Sequence, residues 1–152
     1  MVNRPGRGAS ATAVSPVRRA AQAAGVVFLL IGVLGFIPGI TTDYGTMKFA
    51  GHDSEAKLLG LFQVSILHNL VHLAYGVAGL ALARTVSGAR TFLLAGGAIY
   101  LVLWLYGVVV DHDSGANFVP LNNADDWLHL FLGVGMIALG LALTRRPAGA
   151  RR

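Results

Sequence analysis

The chain reads as an all-α integral membrane protein, a four-helix bundle arranged as two tandem helical hairpins. Three observations predict this. Four apolar stretches, each close to the roughly 20 residues that a bilayer span needs, take up most of the 152 residues. Charged residues make up 12% of the chain, against about 25% in a soluble domain. A polar insertion recurs in the second and fourth stretches: aligned on His72 and His129, both read His-Leu-x-x-Gly-Val. Parallel repeats of this sort occur in membrane proteins.

Residues 1–17, rich in Gly, Ala, Ser, Pro and Arg, predict a disordered basic tail ahead of a transmembrane domain over 18–146. The first span, about 20–40, follows Arg18 and Arg19 and ends at Pro38-Gly39. No small-x-small site follows it, so it reads as a retained span and not a cleaved leader. Its Gly25, Gly32 and Gly35 suit close helix packing. A polar connection, 41–57, leads to the second span, about 58–83. That span carries Ser65, His68, Asn69, His72, Gly76 and Gly79 at steps of three and four, one helical face.

The short Arg84–Arg90 connection makes spans two and three antiparallel neighbours. Span three, about 91–110, holds Tyr100 and Trp104, read as aromatic core packing, and Tyr106, read as an interfacial anchor. Spans one and three share little in sequence. The connection before span four contains His112-Asp113-Ser114, an echo of His52-Asp53-Ser54. Asp111–Gly115 resembles the start of a calcium loop but lacks the later Glu, so it reads as a solvated turn. Span four, about 127–144, continues a stripe of Asn122, Asp126, His129 and Gly133; a basic tail, 147–152, closes the chain.

Charge fixes an orientation. Ten arginines lie in the two tails and the 84–90 connection, while all seven carboxylates lie in the other two connections. By the positive-inside rule both termini face the cytoplasm. The pI of about 10.2 reflects this map and not a nucleic-acid surface. With no cysteine, disulfides, thiolate metal sites and cysteine nucleophiles are excluded.

Several stretches resemble a family of small four-span actinobacterial membrane proteins known as domain of unknown function 4383. They are Gly35-Phe36-Ile37-Pro38-Gly39, Leu61-Phe62-Gln63-Val64, His68-Asn69-Leu70-Val71-His72-Leu73, and Asn117-Phe118-Val119-Pro120-Leu121-Asn122 running on to Asp125-Asp126-Trp127-Leu128-His129-Leu130. The resemblance covers about residues 20–144. It implies the fold and a bacterial plasma membrane, and carries over no activity and no catalytic residue.

Polar side chains are costly in hydrocarbon, so the repeated stripe asks for a reason. A rise of 1.5 Å per residue puts His72 and His129 roughly 18 and 24 Å above Arg84 and Arg145, in the outer half of the membrane. The leading reading is structural. Asn69 and Asp126, each at i−3 of a histidine, engage one ring nitrogen, the other nitrogen bonds a neighbouring helix, and Ser65 and Asn122 join the same polar set. The cluster then serves helix packing or assembly with a second copy or another membrane protein. A haem held by His72 and His129 is one alternative. A divalent metal held by His68, His72, Asp125, Asp126 and His129 is another. Transport of protons or a small solute is a third, weakened because no polar group lies in the inner half of spans two and four. No nucleophile–base spacing points to an enzyme.

Overall fold

A computed structural model describes residues 14–144. Four helices carry the chain: α1 (Pro16–Leu34), α2 (Ile66–Leu82), α3 (Val86–Val109) and α4 (Asn123–Ala142). Of the tails expected at 1–17 and 147–152, all but residues 14–17 lie outside the described residues, as does Arg145.

Helix α1 begins four residues before the expected span because Pro16, in the first turn, has no N–H to leave unsatisfied. Arg18 Nε donates to Ala83 O at 2.9 Å and ties the start of α1 to the end of α2. Only Ala83, Arg84 and Thr85 separate α2 from α3, and Thr85 caps α3 by accepting from Gly88 N. The closest helix pairings are α1 with α2 and α3 with α4. Each pair crosses glycine on glycine. A Cβ on Gly76 would stand 2.7 Å from Gly25 O, and one on Gly25 3.1 Å from Gly76 O. Likewise a Cβ on Gly97 would stand 2.8 Å from Gly133 O, and one on Gly133 3.0 Å from Gly97 O. Such backbone approach is how helices associate where lipid removes the hydrophobic drive.

The polarity runs inside out. Val27 and Leu30 of α1, Val102 and Leu105 of α3, and Trp127 and Phe131 of α4 are exposed, while His68, Asn69, His72, Asp125, Asp126 and His129 are buried. Helices α1, α3 and α4 are long and apolar enough to cross a membrane, which marks a membrane protein; α2 is apolar but has 17 residues.

Helices α3 and α4 also start earlier than expected, at Val86 and Asn123 rather than about 91 and 127, and two boundaries differ most from the expected ones. Helix α1 stops at Leu34, not near Ile40, and α2 starts at Ile66, not Leu58. The residues between form a small antiparallel sheet of β1 (Thr41–Thr42), β2 (Lys57–Leu58) and β3 (Phe62–Gln63), in that order. Thr41 pairs with Leu58, and Leu58 with Phe62. Leu59 (φ 55°) and Gly60 (φ 70°) turn the chain between β2 and β3 in the left-handed region. The physical reason is packing: Ala56, Leu58 and Val64 bury against Ile31 and Leu34 at the C-terminal end of α1. A short apolar run is compatible with strand or helix, and periodicity does not separate them. Ser54 Oγ locks the loop, donating to Val64 O at 2.7 Å and accepting from Lys48 N at 3.1 Å.

Candidate functional site: a buried imidazole and aromatic centre

Ser65 caps α2, its hydroxyl accepting from His68 N, and the helix then turns His68 and His72 inward. Their rings stack with centroids 4.4 Å apart and planes 6° apart. His72 Nδ1 lies 3.0 Å from His68 O, and Nε2 lies 3.3 Å from the Tyr100 hydroxyl. A carbonyl only accepts, so Nδ1 carries the proton and Tyr100 donates to Nε2. The Tyr100 ring in turn stacks on Phe28 of α1, with centroids 5.4 Å apart. Its edge meets His129 of α4 at 5.2 Å, and Phe28 meets His72 at 5.9 Å. All four helices therefore meet at Tyr100 and Phe28.

The i−3 partnerships expected within each helix do not form. Side chains on a helix lean toward its N-terminus, so the His72 ring falls on the preceding turn's carbonyl while Asn69 leans further away. Asn69 packs instead against Gly35, where any Cβ would collide with its amide. Asp126 packs the same way against Gly107, and its Oδ2 lies 3.3 Å from His112 Nε2. His112 also bonds Gly107 O at 3.0 Å. The 111–115 segment, read as a solvated turn, thus supplies a histidine to a buried carboxylate.

Asp125 has a capping role. Its Oδ2 accepts from Asn122 N and from Gln63 N, both at 3.0 Å. Asn122 completes the capping box through Ala124 N and Asp125 N, and its Nδ2 donates to Leu61 O at 2.9 Å. The N-terminus of α4 is thereby fastened to β3 and its turn. Ser65 and Asn122, expected in the polar set, are both helix caps.

Of the residues proposed for a metal, His68, His72, His129 and Asp125 border one cavity of about 190 Å³ between α1 and α4, while Asp126 turns to His112. Among the described residues no group of three His, Cys, Asp or Glu is placed to hold a metal ion. A second cavity, of about 120 Å³, lies between α2 and α3 and is bordered by the same three histidines. Both fall below the ~300 Å³ at which small-molecule pockets begin, and no porphyrin fits between His72 and His129 with Tyr100 in place. Among the described residues six buried side-chain polar atoms have no hydrogen-bond partner: Ser15 Oγ at the start of α1, and His68 Nδ1, His129 Nδ1, Tyr75 Oη, Asn69 Oδ1 and Asp126 Oδ1.

Phe28, Tyr75 and His112 escaped sequence reasoning as members of this centre, and Tyr100, expected as aromatic core packing, also supplies the hydrogen bond to His72. Tyr100 had a usable signal, since a tyrosine deep in an apolar helix needs a partner for its hydroxyl. Phe28 had none.

The family model described as Domain of unknown function (DUF4383) matches residues 18–142. No curated protein matches the chain, and no solved structure does.

Proposed function

The chain belongs to this DUF4383 family, a premise that supplies no activity, and from its own side chains we propose a non-enzymatic, four-span protein of a bacterial plasma membrane. Its buried His/Asn/Asp side chains serve helix packing and the assembly of two hairpins. The observation that carries the reading is the His72–Tyr100 contact, which joins the α1–α2 pair to the α3–α4 pair through a hydrogen bond at the centre. An interhelical polar contact of this kind contributes about 0.6 kcal/mol on average, enough to select a register.

A tandem repeat of the two hairpins is supported by matched contacts. Gly25 on Gly76 corresponds to Gly97 on Gly133, and Gly35 on Asn69 to Gly107 on Asp126. Phe28 beside His72 corresponds to Tyr100 beside His129. The cap Ser65 corresponds to the cap Asn122. Each member of the first set lies one constant spacing from its counterpart, within α1 and α3 and again within α2 and α4. Cytoplasmic termini follow from the arginine distribution.

Two experiments test the reading. The double change His72→Leu with His129→Leu should lower thermal stability in detergent. The parent protein should show neither stoichiometric metal nor a Soret band; either one, lost in the double variant, overturns the packing role. For orientation, single cysteines at Ser10, Ser87 and Ser114 should separate in whole cells, with only Ser114→Cys reacting with an impermeant thiol reagent. Labelling at Ser87→Cys would overturn the topology.

A further inference from the structure

We propose that the open cleft between the start of α3 and the end of α4 holds the phosphate of one anionic lipid, with Arg90 as its main donor. The packing role needs no such ligand; the inference rests on the four-span reading for the depth at which Arg90 lies. Four observations carry it. The first is unanswered charge. All ten arginines lie before residue 20, in the 84–90 connection or after residue 144, and no Asp or Glu lies in any of these stretches. The seven carboxylate side chains lie between Asp43 and Glu55 or between Asp111 and Asp126, at the other ends of the helices. A counter-charge for this end therefore comes from outside the chain's own side chains. The second is shape. Val86, Ser87 and Arg90 of α3, with Leu141 and Thr144 from the end of α4, border a cleft of about 650 Å³, within the range of ~300–1,000 Å³ usual for small-molecule sites. Ser87 and Arg90 are exposed, so their polar atoms face an incoming group. Val86 and Leu141 are half-exposed beside them and give an apolar wall to the glycerol and first methylenes of a lipid.

The third observation is a guanidinium held in place. Arg90 Nε donates to Thr144 Oγ1 at 3.2 Å, and that hydroxyl donates in turn to Gly140 O at 2.6 Å. One edge of the guanidinium is thus fixed, while its two Nη groups have no partner among the described residues. A guanidinium fork is suited to bidentate bonds with phosphate oxygens. The fourth is depth. Val109 lies 19 residues beyond Arg90 in α3, a rise of roughly 28 Å, close to the ~30 Å of a hydrocarbon core. Arg90 therefore stands where hydrocarbon gives way to headgroups, one turn inside the helix and not out in a loop. Basic pockets between helices at the cytoplasmic side are a known form of headgroup site. Two other occupants fit less well. A zwitterionic lipid brings its own cation and leaves the arginine charge unanswered, and a free phosphate makes no use of the apolar wall.

The test uses the full chain in detergent, incubated with phosphatidylglycerol or phosphatidylcholine of identical acyl chains, with retained lipid counted by native mass spectrometry. One phosphatidylglycerol should be retained, about fivefold in preference to phosphatidylcholine. Arg90→Gln should erase the preference. Arg19→Gln removes the same charge from an exposed position at the same end but outside the cleft, and should keep it. Leu141→Trp should fill the cleft and remove the retained lipid, and excess inorganic phosphate should not displace it from the parent. No preference in the parent, equal loss in Arg19→Gln and Arg90→Gln, retention unchanged in both Arg90→Gln and Leu141→Trp, or displacement by inorganic phosphate would each overturn the proposal. Orientation is judged separately by the cysteine labelling, and the packing role by the stability of the His72→Leu/His129→Leu variant.

Discussion

Individual side chains at the centre make separable contributions. Tyr100→Phe removes one donor and leaves His72 Nε2 without a partner, while the ring keeps its stack on Phe28. A double-mutant cycle of Tyr100→Phe with His72→Leu should return a coupling of about 0.6 kcal/mol, and no more than ~1.7 kcal/mol. Thermal unfolding in detergent measures it, and a zero coupling would remove the bond from the account. Gly35 and Gly107 leave no space for a methyl group beside Asn69 and Asp126. Gly35→Ala and Gly107→Ala should therefore each destabilise by about 1–3 kcal/mol through overpacking. At this scale the sequence disclosed which residues are buried and polar, because a stripe at helical spacing in an apolar segment is legible. It did not disclose their partners. Asn69 and Asp126 point along the helix to glycines on another helix, and nothing in a linear pattern says which glycine.

The helices themselves were largely legible. Their number, order and apolar faces follow from length and hydropathy, and the turn between α2 and α3 from its shortness. The connection between α1 and α2 was not. Leu58 to Val64 extends the apolar run of α2, and only contact with Ile31 and Leu34 turns it into strands. The N-terminus of α4 was half legible: Asn122 and Asp125 have the spacing of a capping pair, but the reach of Asp125 to Gln63 crosses the fold. Asp125→Ala should cost roughly 1–2 kcal/mol as a lost cap. It should also speed hydrogen exchange at Gln63, whose amide loses its acceptor. Asp125→Asn keeps an acceptor oxygen and should slow that exchange again.

For the whole molecule, the pairing of α1 with α2 and of α3 with α4 has a mechanical meaning. Contacts within each pair run along crossed glycines, whereas the pairs meet mainly through rings at the centre. Gly76→Leu and Gly133→Leu, acting inside the pairs, should each destabilise by about 1–3 kcal/mol. Two fragments split at the 83–85 connection should recover each other when co-expressed, as the proposed hairpin arrangement requires. Failure to co-purify would show that the connection itself holds the pairs together. The proposed correspondence of α2 with α4 was readable in the His-Leu-x-x-Gly-Val pattern. That of α1 with α3 was not, since its matched positions, such as Phe28 and Tyr100, share a place in the packing more than a residue type.

The shortness of α2 reaches beyond the protein into its solvent. Its 17 residues span about 26 Å, less than the ~30 Å of a typical hydrocarbon core. The 24 residues of α3 reach about 36 Å. Around the fold, on the four-span reading, the lipid therefore meets walls of unequal height. On the low side, exposed Phe49, Leu59 and Leu61 of the connection between α1 and α2 stand beyond the N-terminal end of α2. The sheet makes up part of the missing depth, and hydrophobic mismatch is left for the acyl chains to absorb by thinning locally. Thermal stability should then be higher in bilayers of shorter acyl chains than in longer ones, and the membrane beside α2 should be its thinnest point.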